Sequence, residues 1–158
     1  MPAGGDEPDR SGLAAAPLSA AIFQLARAHR AYAAELLREH GLHPGQELVL
    51  LHLLEQDHRS QGALLEAVGL DHSTLSRSLS RMEAAGLVRR RPSEQDRRAV
   101  VVSLTPKGER LRQPLHDVWA QLERTTTQGL SGQEVEALTG ALTDVRRAVV
   151  DRARHEGG

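Results

Sequence analysis

The apolar residues of this 158-residue chain change period near residue 87, and that change limits the fold more than any other feature. Before it, they recur at three- and four-residue steps, the spacing that gathers them on one face of a helix. After it, Leu87 and Val88 lead into three arginines. Ala99-Val-Val-Val-Ser-Leu104 then reads as a strand rich in β-branched residues. Residues 92–98 between these runs are turn-rich and too long for a tight hairpin. Thr105 before Pro106 is a cap followed by a first-turn proline, so a helix restarts there. The pattern predicts a mainly α chain with one small β-hairpin.

The helices before the hairpin are short and well punctuated. Leu18, Ile22, Leu25, His29, Tyr32 and Leu36 form the first stripe, with Gly41 as its C-terminal cap. Pro44 is expected in the first turn of a second helix. The segment 47–54 of that helix is apolar almost all round, which predicts burial on most faces. Ser60 is the expected N-cap of a helix over 61–68, with Leu64, Leu65 and Val68 inward and Gly69 at its end. After a turn of about three residues, Asp71 caps a helix over 72–85. Leu75, Leu79 and Met82 form its apolar stripe, Ser73, Ser76, Arg77, Ser80 and Arg81 lie largely off it, and Gly86 ends it. A short helix, a tight turn and a second helix make a helix-turn-helix, and the hairpin that follows makes it a winged helix. Beyond Pro106, Leu111, Leu115, Val118 and Leu122 form a stripe that Pro114 should kink or interrupt. Ser131-Gly-Gln-Glu134 is a capping box for a last helix with Val135, Leu138, Leu142, Val145 and Val149 on one side. The expected organisation is a disordered tail over 1–16, helical regions over 17–43 and 106–154 flanking a winged helix-turn-helix over 44–105, and a fraying tail over 155–158.

Composition excludes several classes. There is no cysteine, so disulfide scaffolds, thiolate zinc fingers, iron–sulfur ligation and thiol switches are ruled out. No apolar run approaches the ~18 residues of a membrane span. The N-terminus lacks a basic segment followed by an apolar one, so the expected compartment is the cytoplasm and no membrane partner is expected. No dinucleotide fingerprint, phosphate loop, HExxH or nucleophile elbow is present, and an enzyme is not expected.

Charge is concentrated rather than abundant. Arg77, Arg81, Arg89, Arg90, Arg91, Arg97 and Arg98 face only Glu83, Glu94 and Asp96 in their window, in a chain whose formal net charge is −1. Such a local excess is the electrostatic footprint of a phosphate-binding face. Arginine suits bidentate contact with guanine edges or phosphates and fits narrow minor grooves. A helix over 72–85 fits the major groove, and a wing over 92–98 reaches toward a minor groove. The candidate contacts with double-stranded DNA are Ser73, Thr74, Ser76, Arg77, Arg81, Arg90, Arg97 and Arg98. Asp96, two residues before Arg98, is expected to orient its guanidinium by a charge-assisted hydrogen bond.

Two stretches carry a resemblance. Residues 70–88, LDHSTLSRSLSRMEAAGLV, resemble the recognition helix and following strand of the MarR family of bacterial transcription regulators. Residues 96–108, DRRAVVVSLTPKG, resemble that family's wing and the helix start after it. The Asp-x-Arg pair falls on Asp96 and Arg98, and the Leu-Thr-x-x-Gly element on Leu104, Thr105 and Gly108. The resemblance covers about residues 18–152. It implies a homodimer joined through the first and last helices. It also implies a pseudo-palindromic operator, with recognition helices in the major groove and wings in the minor groove. Repression relieved by a small-molecule effector is implied as well, and no cofactor is required.

The effector is not legible. A pocket between the first two helices and the Pro106 helix is expected to draw on His29, Tyr32, His40, His43 and His116. Zinc is an alternative, held by His40, His43 and His116 with Glu39 or Asp117 nearby, since imidazole and carboxylate suit that ion. His29 and His52, in apolar surroundings, read as core histidines, and His72 as a neighbour of phosphate. A winged helix that binds protein rather than DNA is the rival class; steep salt dependence of DNA binding separates the two.

Overall fold

The computed structural model describes residues 15–96 and 98–156. Arg97, residues 1–14 of the expected N-terminal tail and residues 157–158 of the C-terminal one lie outside them. The chain divides into two compact units, one reaching to Trp119 and the other starting at Ala120. The first holds α1 (Pro17–Arg38), α2 (Gln46–Glu55), β1 (Arg59–Ser60), α3 (Gln61–Val68), α4 (His72–Ala84), β2 (Val88–Pro92), β3 (Val100–Leu104) and α5 (Pro106–Glu109). α6 (Arg112–Thr126) runs through the boundary, and α7 (Gly132–Glu156) belongs to the second unit. The described residues are mostly helical with a small antiparallel sheet.

The core of the first unit is aliphatic. Leu37, Val49, Leu50, Leu53, Leu64, Leu75, Leu79, Met82, Val88, Val102 and Leu115 are almost wholly buried. Each such side chain is worth about 1.5–3 kcal/mol relative to exposure. α2 is buried or half-buried on every residue from Gln46 to Leu54, as its all-round apolar segment predicts, and the inward residues of α3 and α4 are those the stripes predict, with Leu65 and Val68 packed at the cluster's margin. Side-chain caps also fall at the predicted positions. Ser60 accepts from Ala63 N–H at 3.1 Å, and Thr105 from Gly108 N–H at 3.1 Å. In the second unit, Ser131 and Glu134 close the predicted capping box: Ser131 N–H donates to Glu134 Oε2 at 2.8 Å, and Glu134 N–H to Ser131 Oγ at 3.3 Å.

Five features differ from the sequence reading. α2 begins at Gln46, with Gly45 as N-cap, so Pro44 lies just outside the helix. Gly45 has φ 96°, a left-handed conformation that its missing Cβ permits. A third strand, β1, pairs with β3, giving the order β1-β3-β2. Two residues, Arg59 and Ser60, carry no alternation for a sequence reading to find. The Pro106 helix is interrupted, as Pro114 predicts, but the break falls at Arg110–Leu111 rather than at the proline. Pro114 has no N–H to offer the Arg110 carbonyl, so the break falls where that bond would have been. The α1 stripe is only partly covered: Leu18 and Leu25 are exposed, Ile22, His29 and Tyr32 are half-buried, Leu36 packs at the core's margin, and the buried residue of this helix is Leu37, off the stripe. α7 continues to Glu156, two residues into the expected frayed tail.

Candidate nucleic-acid interface

α4 is held at both ends. At its start, Asp71 Oδ1 accepts from the Thr74 N–H at 2.9 Å. The Ser73 hydroxyl donates to Oδ1 at 2.6 Å and the Thr74 hydroxyl to Oδ2 at 2.5 Å. The Ser73 hydroxyl first, then the Thr74 hydroxyl and its N–H, hold the Asp71 carboxyl far below the usual carboxylate range. At its end, Gly86 N–H donates to Glu83 O and Leu87 N–H to Met82 O, both at 2.9 Å. Gly86 has φ 73°, as this closing turn requires. With Leu75, Leu79 and Met82 locked inward, Ser73, Arg77 and Arg81 face out, and Thr74 and Ser76 are half-buried. Arg77 Nε donates to the Ser73 carbonyl at 3.3 Å, which lays its guanidinium back toward the start of the helix.

Arg90 sits differently from its neighbours. Its N–H donates to Glu83 Oε1 at 3.0 Å. Its guanidinium donates to Glu83 Oε2 through Nε at 3.0 Å and Nη2 at 2.8 Å, and to Ser80 Oγ at 3.1 Å. The Arg90 side-chain hydrogen bonds, chiefly, hold the Glu83 carboxyl below its usual range. β2 is an edge strand in the order β1-β3-β2, so this bond also takes up an N–H on the open edge. Arg90, a candidate DNA contact by sequence, is therefore a strut between α4 and the wing. Glu83 is a residue that sequence reasoning missed: its partner lies seven residues on and across a helix–strand turn.

The wing is a folded loop. Ser93 N–H donates to Ala99 O at 2.8 Å, and Ala99 N–H to Asp96 O at 2.9 Å. Ser93 Oγ accepts from the Gln95 and Asp96 amides at 3.2 and 3.3 Å. Asp96 Oδ1 accepts from the backbone N–H of Arg98 at 2.9 Å. This corrects the expectation for Asp96: it shapes the backbone at Arg98, and no ion pair among the described residues joins it to the guanidinium. Arg98 is exposed and lines a cleft of about 400 Å³ with His72, Gln61 and Asp96, between the wing and the starts of α3 and α4.

The join between α4 and the hairpin is tight. A Cβ on Gly108 would stand 2.1 Å from the Leu87 carbonyl oxygen, so only glycine fits. Thr105 N–H donates to Leu87 O at 3.0 Å, and Lys107 Nζ to Ala85 O at 2.8 Å. The Leu104–Thr105–Gly108 element thus pins the helix start after the wing to the turn that ends α4.

This architecture has relatives. Residues 40–99 match the model of the MarR family. A mutant MarR from E. coli, solved in complex with operator DNA, is 26% identical over 84% of this chain and 96% of that one, with a TM-score of 0.78. Over its winged helix-turn-helix the chain is similar to MarR-family regulators. A probable transcriptional regulator from Pseudomonas aeruginosa is also 26% identical, covering 84% of this chain and 98% of its own, with a TM-score of 0.77. Bordetella bronchiseptica BpsR, whose DNA binding is regulated by 6-hydroxynicotinic acid, is 25% identical over 82% of this chain and 98% of that one, with a TM-score of 0.75. All three of these structures are likenesses over more than four fifths of the chain, and the family model falls on the winged helix.

The effector and metal candidates of this chain are scattered. His43 lines a cavity of about 220 Å³ with Thr74, Arg77 and Arg81, on the side of α4 that faces the start of α2. His29 and Tyr32 on α1 and His116 on α6 are not among its walls. His40 and His116 are exposed, and His116 lies 3.9 Å from Asp117. Among the described residues no group of three or more His, Asp or Glu side chains is arranged to hold a metal ion. The zinc set His40, His43 and His116 is therefore not assembled. His29 and His52 are half-buried rather than core residues; His52 reaches Glu55 at 3.9 Å. No helix among the described residues is long and apolar enough to cross a membrane.

Proposed function

We propose that this chain is a homodimeric regulator of the MarR family that represses transcription from a pseudo-palindromic operator and is modulated by a small-molecule effector. α4 reads the major groove and the wing reaches the minor groove. The observation that carries this reading is the exposed side of α4. Arg77 and Arg81 are exposed there, and Arg98 is exposed in the cleft it shares with His72 at the start of the helix, while Asp71 and Glu83 are occupied. Asp71 is engaged by Ser73 and Thr74, and Glu83 by Arg90. Those cations are left for phosphates and base edges.

The dimer is supported by apolar surface. Leu18, Phe23 and Leu25 are exposed on α1, and Leu138, Leu142, Val149 and Val150 on α7. Patches of this kind mark interfaces. The effector is supported by the BpsR likeness and by the cavity that His43 shares with Arg77 and Arg81, where an anionic ligand would compete with DNA for the same side chains.

Selection from a random duplex pool tests the reading. The expected result is an inverted repeat with half-sites about one helical turn, 10–10.5 base pairs, apart. Affinity for it should fall with salt at a log–log slope near 0.9 for each neutralised phosphate. A pool with no enrichment, or binding indifferent to salt, overturns it.

A further inference from the structure

The recognition helix begins with two hydroxyl groups whose direction is already set. A hydroxyl has one proton to donate and two lone pairs to accept with. An ionised carboxylate can only accept. Ser73 Oγ lies 2.6 Å from Asp71 Oδ1, and Thr74 Oγ1 lies 2.5 Å from Asp71 Oδ2. Both hydroxyl protons therefore point at Asp71, and the lone pairs remain for whatever approaches the helix. The carboxylate is also capped by the Thr74 N–H at 2.9 Å, so it is fixed in place by three donors.

We propose that Asp71 makes Ser73 and Thr74 hydrogen-bond acceptors toward DNA, so that the start of α4 selects bases offering an exocyclic amine in the major groove, cytosine N4 or adenine N6. This rests on the operator-binding reading above. Phosphate oxygens, guanine O6 and N7, and thymine O4 are all acceptors. To serve them, either hydroxyl must give up a charge-assisted bond, the strong kind. Cytosine N4 and adenine N6 are donors and require no such exchange. The first turn of a recognition helix is the part that meets base edges in helix-turn-helix complexes, which is where Ser73 and Thr74 stand.

The experiment compares full-length wild type, Ser73→Ala, Thr74→Ala and Asp71→Asn in duplex selection. Positions whose preference is lost in an alanine variant are those that side chain reads. They should hold cytosine or adenine in the wild-type site. Deleting only the amine there, with 2-pyrimidinone for cytosine or purine for adenine, should weaken wild-type binding on the order of tenfold per half-site. It should not weaken the matching alanine variant. Asp71→Asn keeps a good N-cap oxygen for the Thr74 N–H, so the helix persists, as circular dichroism will verify. Its amide NH₂ then replaces Oδ2 beside Thr74 Oγ1. That hydroxyl must accept from the amide and donate outward, and the base it reads should change to guanine or thymine. Guanine or thymine at the wild-type positions overturns the proposal. So do analogues without effect, alanine variants with unaltered preference, or an Asp71→Asn preference equal to wild type. A wild type that enriches no sequence overturns the operator-binding reading itself, and this inference with it.

Discussion

Leu79 and Leu142 are both stripe residues of amphipathic helices, and they meet opposite fates. Leu79, on α4 in the winged helix, is 0% exposed; Leu142, on α7, is 40% exposed. Around Leu79 the chain supplies its own cover from α2, α3, the sheet and α6. The α7 stripe keeps Leu138, Leu142 and Val149 open to solvent. The period of apolar residues is the same in both helices. It reports which face is apolar and says nothing about what covers it. The winged helix is complete within one chain, whereas α7 presents a face suited to cover from outside the chain.

Truncation at the two leucines gives the largest contrast. Leu79→Ala should cost about 2–5 kcal/mol by leaving a cavity in a packed core, read as a lowered urea midpoint. Leu138→Asp with Leu142→Asp should leave the winged helix folded but convert a dimer to a monomer in sedimentation, with loss of cooperative operator binding. If the Asp variant stays dimeric, or if it unfolds the winged helix, the distinction between the two regions is wrong.

The same distinction explains what was legible. A cap needs one side chain at one offset, so Ser60, Asp71, Thr105 and Ser131 were all readable, as were the glycines at 41, 69 and 86 that end helices. Features set by distant partners were not. β1 is two residues long and exists because Arg59 and Ser60 pair with Val102 and Val101. The break at Arg110–Leu111 was displaced from Pro114 because the cost falls on the carbonyl four residues earlier. In the arginine-rich window the sequence shows density of charge but not its use. Arg90 is opposite Val102 in the register, on the side from which Glu83 reaches it, while Arg89 and Arg91 alternate to the other side. The Asp96–Arg98 pair was readable as a pair, yet its bond goes to the backbone, because a two-residue spacing in a turn brings the amide within reach of the carboxylate.

A smaller effect separates arginines that brace from arginines that bind. Removing an acid beside a DNA-binding face normally tightens binding, because repulsion of phosphate is relieved. Glu83→Gln should do the reverse. It weakens the bidentate link between α4 and β2, so the helix and wing lose their fixed angle. Operator affinity should fall about fivefold, on the order of 1 kcal/mol, at 20 °C where the protein is folded. The salt slope should stay within error of wild type, since no phosphate contact is removed. Tighter binding by Glu83→Gln would mean that a released Arg90 reaches phosphate, and the strut would have to be abandoned in favour of a direct contact.

The subtlest difference concerns charge at the start of α4, and its sign follows from the direction of the Asp71 shift. The folded carboxyl is held far below its unfolded value near 3.9, chiefly by the Ser73 and Thr74 hydroxyls. A group with a depressed folded pKa contributes stability above its unfolded pKa and loses it as pH falls toward the folded one. Asp71→Asn preserves the cap but removes the charge. Wild type should therefore exceed Asp71→Asn in urea midpoint at pH 7. That advantage should shrink steadily below about pH 4. The site is exposed, so the difference is small, and the trend with pH carries the information rather than its size. A gap that stays constant from pH 7 to pH 3 would mean the hydroxyls are not bound to an ionised carboxylate. Their protons would then be free to turn toward DNA, and the start of the recognition helix would have no built-in preference for amine-bearing bases.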